Sequence, residues 1–239
     1  MKKITLTLAL ICITMVNAQR WNNEKIKGNG VQTTVSRTTE SYDEISVGGS
    51  FNVELVSGKE GNITIEGDEN IVNHIVTEVI GNKLEIHFEK NKNYSYNSEV
   101  TITVPFEEIN AVSLTGSGKI STKDPINAIG FELKFTGSGD GFFDIKANTI
   151  STIQTGSGNL SLSGSTNNLE ATIKGSGNLN SSKLTAQNAD TIVSGSGQIK
   201  VNCTNNLVAK VSGSGNIKYK EKPQNIDKKV SGSGDISSY

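Results

Sequence analysis

Few residues in this chain could do chemistry, and none sits in a pattern that a reaction would require. The histidines are His74 and His87. Neither has a cysteine or a second histidine at the spacing of a zinc site, and His87 alternates with Ile86 and Phe88 as a half-exposed strand residue would. The tripeptide Gly-Ser-Gly resembles a phosphate-cradling loop, but such loops open onto a helix and usually carry a lysine. At Asp140 and Asp235 the tripeptide is followed by aspartate, as in calcium-binding β-rolls. Only two of the seven copies have it, whereas the β-roll needs one in every repeat. Carboxylate pairs for glycosidic chemistry are available by residue type alone: Asp140 with Asp144, and Glu107 with Glu108. Asp140 and Asp235 stand five repeats apart, too far to cooperate, and no arginine follows Arg37. No catalytic, metal-binding or cofactor-binding set is expected.

The elements that position these residues are set by a repeat. Gly-Ser-Gly begins at Gly116, Gly137, Gly156, Gly175, Gly195, Gly213 and Gly232, with spacings of 21, 19, 19, 20, 18 and 19. Two residues before each first glycine stand Leu114, Phe135, Gln154, Ile173, Val193, Val211 and Val230, apolar except Gln154. Four residues after it stand Ile120, Gly141, Leu160, Leu179, Ile199, Ile217 and Ile236, apolar and large except Gly141. Polar residues such as Lys134, Thr172, Lys210 and Lys229 lie between, giving the period-two alternation of half-buried strands.

A unit of about 19 residues, too short for strand plus helix and punctuated by glycine, predicts one coil of a parallel β-helix. Like residues then stack about 4.8 Å apart along one axis. Leu114, Phe135, Ile173, Val193, Val211 and Val230 are the expected core column. The corner glycines are Gly116 and Gly118, Gly137 and Gly139, Gly156 and Gly158, Gly175 and Gly177, Gly195 and Gly197, Gly213 and Gly215, and Gly232 and Gly234; they permit positive φ and close backbone approach. The winding preference of parallel crossovers predicts a right-handed, single-stranded coil. The serines between the glycines should form one hydroxyl column, flanked by another of Lys119, Asp140, Asn159, Asn178, Gln198, Asn216 and Asp235.

Ahead of the array, strand-like runs recur without the strict period. Gly81-Asn82 predicts a two-residue hairpin turn, and Asp68 precedes a short helical turn near Glu69. Residues 41–110 are expected to be irregular first coils acting as a cap, continuous with the array at 111–239, and 19–40 an extended arm. At the start, Lys2 and Lys3, an apolar run from Ile4 to Val16 and small Ala18 describe a cleavable secretory leader over residues 1–18; Ile11 before Cys12 argues against a lipid anchor. No second run is long enough to span a bilayer. Past the leader Cys203 is the only cysteine, so no internal disulfide forms. The formal net charge of −1 becomes more acidic once Lys2 and Lys3 are removed. With no basic excess, nucleic acid is not an expected partner.

From about Trp21 to Tyr239 the chain resembles the autotransporter-adhesin, head GIN domain family of exported Bacteroidetes-type proteins. The resemblance rests on Gly28-Asn29-Gly30, Tyr42 to Val47 followed by Phe51 to Leu55, Lys83 to Ile86, Val100 to Pro105, and the Gly-Ser-Gly array. It implies a β-helix fold and an envelope or surface location in the periplasm, on the cell surface or outside the cell. It brings no established activity and no catalytic residues.

The resulting expectation is an exported, non-catalytic envelope protein, adhesin-like or scaffolding, whose partner is an envelope protein or glycan. The alternative is a carbohydrate-active enzyme on a β-helix. Tyr94 and Tyr96, in the polar stretch Lys90 to Ser98, are a candidate binding loop. The final repeat ends close to Tyr239, so its coil edge is expected to offer unpaired strand groups to a second copy.

Overall fold

The computed structural model describes residues 24–220 and 223–239; the expected leader, with Cys12, and Trp21 lie outside the described residues. The chain is a parallel β-solenoid with coils about 19 residues apart. Within the array each coil is almost one continuous strand, as in Asp140–Gly156, Asn159–Gly175, Asn178–Gly195 and Gln198–Gly213, broken only at the Ser-Gly corner. Successive coils pair in parallel with the corners in register: Gly116 with Gly137, then Gly156, Gly175, Gly195, Gly213 and Gly232.

The corner explains its own sequence. The first glycine of every copy has φ between +117° and +135°, a region that side chains strain against. A Cβ there would stand 2.1–2.6 Å from the glycine carbonyl oxygen one coil below. The backbones approach this closely because the next serine amide donates to that same carbonyl, as from Ser157 to Gly137 O at 2.9 Å and from Ser176 to Gly156 O at 2.9 Å. Glycine therefore satisfies both a conformation and a contact.

Unequal repeat lengths are absorbed away from the corner. The 20-residue step contains a register shift after Ser161, and the 18-residue step contains shifts between Ser181 and Thr185 and between Ala186 and Asn188. Bulges of this kind add or drop residues without displacing the rest of the ladder.

The core is a set of stacked columns. Leu114, Phe135, Ile173, Val193 and Val211 are all buried, each contributing about 1.5–3 kcal/mol by leaving water. Val230 departs from the expected core column: it keeps register with Val211, but among the described residues no further coil covers it, and it is 44% exposed. The two irregular positions have packing consequences. Gly141 sits where its neighbours carry leucine or isoleucine because the Phe135 ring occupies that volume, 2.7 Å from where a Cβ would be; Phe135 in turn meets Phe143 edge-on at 5.9 Å. Gln154 is buried, with its amide nitrogen donating to Gly158 O and its Oε1 unpartnered. Gly158 O also accepts from Asn178 N at 3.0 Å, so removing the amide orphans nothing. Gln154→Leu is accordingly expected to raise stability by about 1–2 kcal/mol, by relieving a buried unsatisfied oxygen, as read by urea unfolding.

The first part of the chain is folded into the end of the solenoid. The expected hairpin forms, with Ile75–Ile80 antiparallel to Lys83–Phe88 around Gly81-Asn82, and Glu69–Val72 is the short helix. The described part of the polar arm, from residue 24, is hydrogen-bonded: Glu24–Lys27 pairs in parallel with Lys92–Ser95, and Gln32–Thr38 pairs antiparallel with Asn62–Asp68. Stacking order does not follow chain order. Glu44–Gly48 lies between Lys83–Phe88 and Ala111–Gly116, and Asn52–Ser57 between Thr101–Phe106 and Lys119–Thr122. The coil at 44–57 is thus the true base of the array, and the chain returns to it after building the cap. Gly49-Ser50-Phe51 is a hidden corner copy: Gly116 stands over Gly49, and Val47 lies in register with Leu114.

Cys203 is a buried, free thiol within 3.3 Å of Gln187 O and 3.2 Å of Asn206 O. Burial pushes its pKa up, so the reactive thiolate is scarce at neutral pH. Iodoacetamide at pH 8 is expected to spare Cys203 in the folded protein and to alkylate it readily in urea; mass spectrometry reads both.

Candidate binding face

The strands that lead into the corners point alternate side chains outward, and stacking turns these into columns parallel to the axis. Five residues before each first glycine, one column runs Glu44, Ala111, Glu132, Ser151, Glu170, Asp190, Val208 and Asp227. Beside it run Ser46, Ser113, Lys134, Ile153, Thr172, Ile192, Lys210 and Lys229. Three shallow depressions follow the acidic column. The first two share Glu44 and Glu132, and the second and third share Glu170, so together they form one groove along the axis. Among the described residues the carboxylates of Glu132, Glu170 and Asp190 accept no hydrogen bond and join no ion pair; they remain available to a partner.

The groove's rim is hydrogen-bonded along the axis. Asn168, Asn188, Asn206 and Asn225 form a ladder in which each side-chain amide donates to the carbonyl oxygen of the one before, at 3.1, 2.7 and 2.8 Å. Stacked amide ladders of this kind support cross-strand packing. A second ladder holds the expected polar column: Asn159 Nδ2 donates to Asp140 Oδ1 at 2.9 Å and Asn178 Nδ2 to Asn159 Oδ1 at 3.0 Å.

The candidates drawn from sequence fall in separate places. Asp140 is engaged by that ladder, accepting from Asn159 N at 3.0 Å as well. Asp144 lines a different depression with Phe142, Ser161, Ser163 and Lys183, where Phe142 is exposed and Lys119 Nζ lies 5.1 Å from its ring centre. Glu107 and Glu108 are exposed in the turn after Thr101–Phe106. Tyr94 and Tyr96, expected on a free loop, are half-buried instead: Tyr94 stacks on Phe88 at 4.0 Å, Tyr96 lies 5.9 Å from the same ring, and Phe88 meets Phe51 at 4.6 Å. Their apolar faces close the cap end of the core, and burial pushes the Tyr96 hydroxyl's pKa up. His74 is held by Glu89 at 3.0 Å, and the Lys92 and His74 contacts hold the Glu89 carboxyl below its ordinary range.

The acidic column is readable in the sequence once the coils are aligned on their first glycines. Four of the seven residues at that offset in the array are acidic, and a search for apolar columns alone passes over them.

This geometry defines a class: a capped parallel β-solenoid whose outer faces are ladders of side chains at fixed spacing. The chain belongs to the family described as "Putative auto-transporter adhesin, head GIN domain", whose model matches residues 41–223. Among solved structures it is similar to a putative adhesin from Bacteroides fragilis NCTC 9343, with a TM-score of 0.84 at 23% identity, covering 90% of this chain and 100% of that one. A putative adhesin from Parabacteroides merdae ATCC 43184 gives a TM-score of 0.78 at 20% identity, covering 90% and 99%. A putative lipid binding protein from Parabacteroides distasonis ATCC 8503 gives 0.75 at 26% identity, covering 90% and 100%. No curated protein matches the chain. Among the described residues no helix is long and apolar enough to cross a membrane.

Proposed function

We propose that this protein is an exported, non-catalytic module of the cell envelope that binds an extended polymer, a glycan or an envelope protein, in adhesion or scaffolding. The observation that carries this reading is the axial groove with Glu44, Glu132, Glu170 and Asp190 along it. Acids at multiples of about 4.8 Å along one axis match a repeating partner better than a compact one. Carboxylates accept hydrogen bonds from hydroxyl or amide groups, and a pre-ordered surface adds little ordering cost on binding. The family's adhesin description and the leader expected over residues 1–18 agree with this role. The test is a panel of glycans and matrix proteins presented to the purified protein. Saturable binding that falls at least about tenfold in a Glu132→Gln, Glu170→Gln, Asp190→Asn variant supports the groove. No binding across the panel, or binding indifferent to the three changes, refutes it.

Self-association is a separate matter. Among the described residues Asn225–Gly232 and Asp235–Ser238 each pair on one side only. Lys228 occupies the inward position that Ala209 holds one coil below. Its Nζ donates to Tyr219 Oη at 2.9 Å and to Ile236 O at 3.2 Å, over the Tyr219 ring. An inward-pointing charge is one way proteins blunt an open edge. Lys228→Ala is therefore expected to associate at lower concentration than the parent, as read by light scattering. Equal association in both would show that the lysine does not guard the edge.

A further inference from the structure

Beyond the groove, a second group of side chains converges on the outer face of the cap hairpin. In the antiparallel register of Ile75–Ile80 with Lys83–Phe88, Glu78 stands opposite Glu85 and Val76 opposite His87. The two-residue period puts Glu78, Glu85 and His87 on one face, and a donor atom from each lies within 4.8 Å of the others. His87 Nε2 is 3.7 Å from Glu78 Oε1.

Two further features set this trio apart from ordinary surface charge. The first concerns the imidazole. His87 Nδ1 lies 2.8 Å from Phe88 O, a carbonyl that accepts the Nδ1–H, while Nε2 is the ring atom on the side of Glu78 and the one a metal ion would take. That is the arrangement by which a second-shell carbonyl fixes a metal-binding histidine. On the neighbouring strand His87 is paired with Gly48, so no side chain crowds the ring from that side. The second feature is electrostatic. Like charges directly opposite on a sheet are destabilising, yet neither Glu78 nor Glu85 has a lysine or arginine partner among the described ion pairs. Lys83, the lysine on the same strand, is turned to Glu44 at 3.8 Å. Among the described ion pairs the two carboxylates have only the His87–Glu78 contact.

We propose that Glu78, Glu85 and His87 form a surface site for a divalent transition-metal ion of the zinc, copper or nickel kind. One imidazole nitrogen with two carboxylate oxygens is a donor set those ions accept; calcium and magnesium favour oxygen alone. Donors around such an ion at about 2.0–2.2 Å stand roughly 3.3–3.6 Å apart, and small rotations of exposed glutamate side chains bring them there. Three protein donors leave a fourth position open for water or for a side chain of a bound partner. Sequence spacing could not reveal the site, because Glu78 is joined to the other two across a turn.

The test is calorimetric titration of ZnCl2 into the untagged protein. One equivalent should bind, and His87→Ala and Glu85→Gln should each weaken binding at least about tenfold, the scale on which even outer-shell losses act. His74→Ala, which removes the histidine held by Glu89, should leave binding unchanged. In EDTA both weakened variants should melt as the parent does, and Glu85→Gln no lower; zinc should raise the melting temperature of the parent and not that of His87→Ala. Absence of saturable binding at millimolar zinc, binding that survives His87→Ala, or equal loss in His74→Ala would overturn the assignment.

Discussion

Gly156→Ala is expected to destabilise the protein by about 3–6 kcal/mol, although it adds a single methyl group at an array corner. The added Cβ would lie 2.1 Å from Gly137 O, a backbone atom with no rotamer by which to escape, and φ at Gly156 is +122°. Strain in that region costs of order 1–3 kcal/mol, and overpacking adds typically 1–3 kcal/mol. Pushing the coils apart also weakens the Ser157 N to Gly137 O bond of 2.9 Å, worth about 1 kcal/mol. Gly130→Ala is the control, because a Cβ there meets nothing within 4 Å and its φ is unexceptional; it should change stability by no more than about 0.5 kcal/mol. Chemical denaturation of the two variants separates stacking from the general effect of removing a glycine.

Ile173→Asp against Thr172→Asp is expected to give the second large contrast, between neighbours in sequence. Ile173 is fully buried, paired with Gln154 below and Val193 above. Aspartate there forfeits about 1.5–3 kcal/mol of burial and places an unpaired carboxylate in the core, a cost of several kcal/mol more. The variant should fail to fold, or fold only at a pH low enough to protonate the acid. Thr172 points outward on the same strand, and its aspartate variant should lose no more than about 1 kcal/mol. Circular dichroism melts of both proteins, with soluble yield, check the pair. Equal losses would overturn the assignment of inward and outward faces.

The array was legible because its information is periodic. Seven glycine corners with apolar flanks specify which residues face in and that equivalent residues lie over one another, and the pairing of Ile173 with Val193 and of Val193 with Val211 follows that pattern. The cap was legible only locally. Gly81-Asn82 announced its hairpin because a two-residue turn needs those residues. Gly49-Ser50-Phe51 stayed hidden because Phe51 replaces the second glycine, although Val47 and Val53 have the correct offsets. Stacking order was beyond reach: alternation tells a strand which face it buries, not which of two coils becomes its neighbour. That is why the coil at 44–57 could be read as a strand pair but not as the base of the array. Tyr94 and Tyr96 look free in a polar stretch because their partner, Phe88, lies on a strand whose place in the fold the pattern does not reveal. Val230 fits its column by type yet stays partly exposed, because a column residue is buried only when a coil lies on each side.

The candidate face divides in the same way. Its acids share one offset in the repeat and could have been found by aligning the coils. The hairpin trio and the Lys228 contacts depend on side chains meeting across turns, which composition and spacing do not encode.

The claim beneath all of this is that equivalent corners rise along one axis by one strand spacing per repeat. Spin labels on exposed corner serines test it directly, in a Cys203→Ala background with Ser117→Cys paired to either Ser157→Cys or Ser233→Cys. Two steps and six steps of about 4.8 Å predict mean separations near 10 Å and 29 Å, before label linkers, each narrowly distributed, by continuous-wave and pulsed dipolar spectroscopy respectively. Separations that do not grow with the number of intervening repeats, or a broad distribution for the outer pair, would contradict the stacked coil.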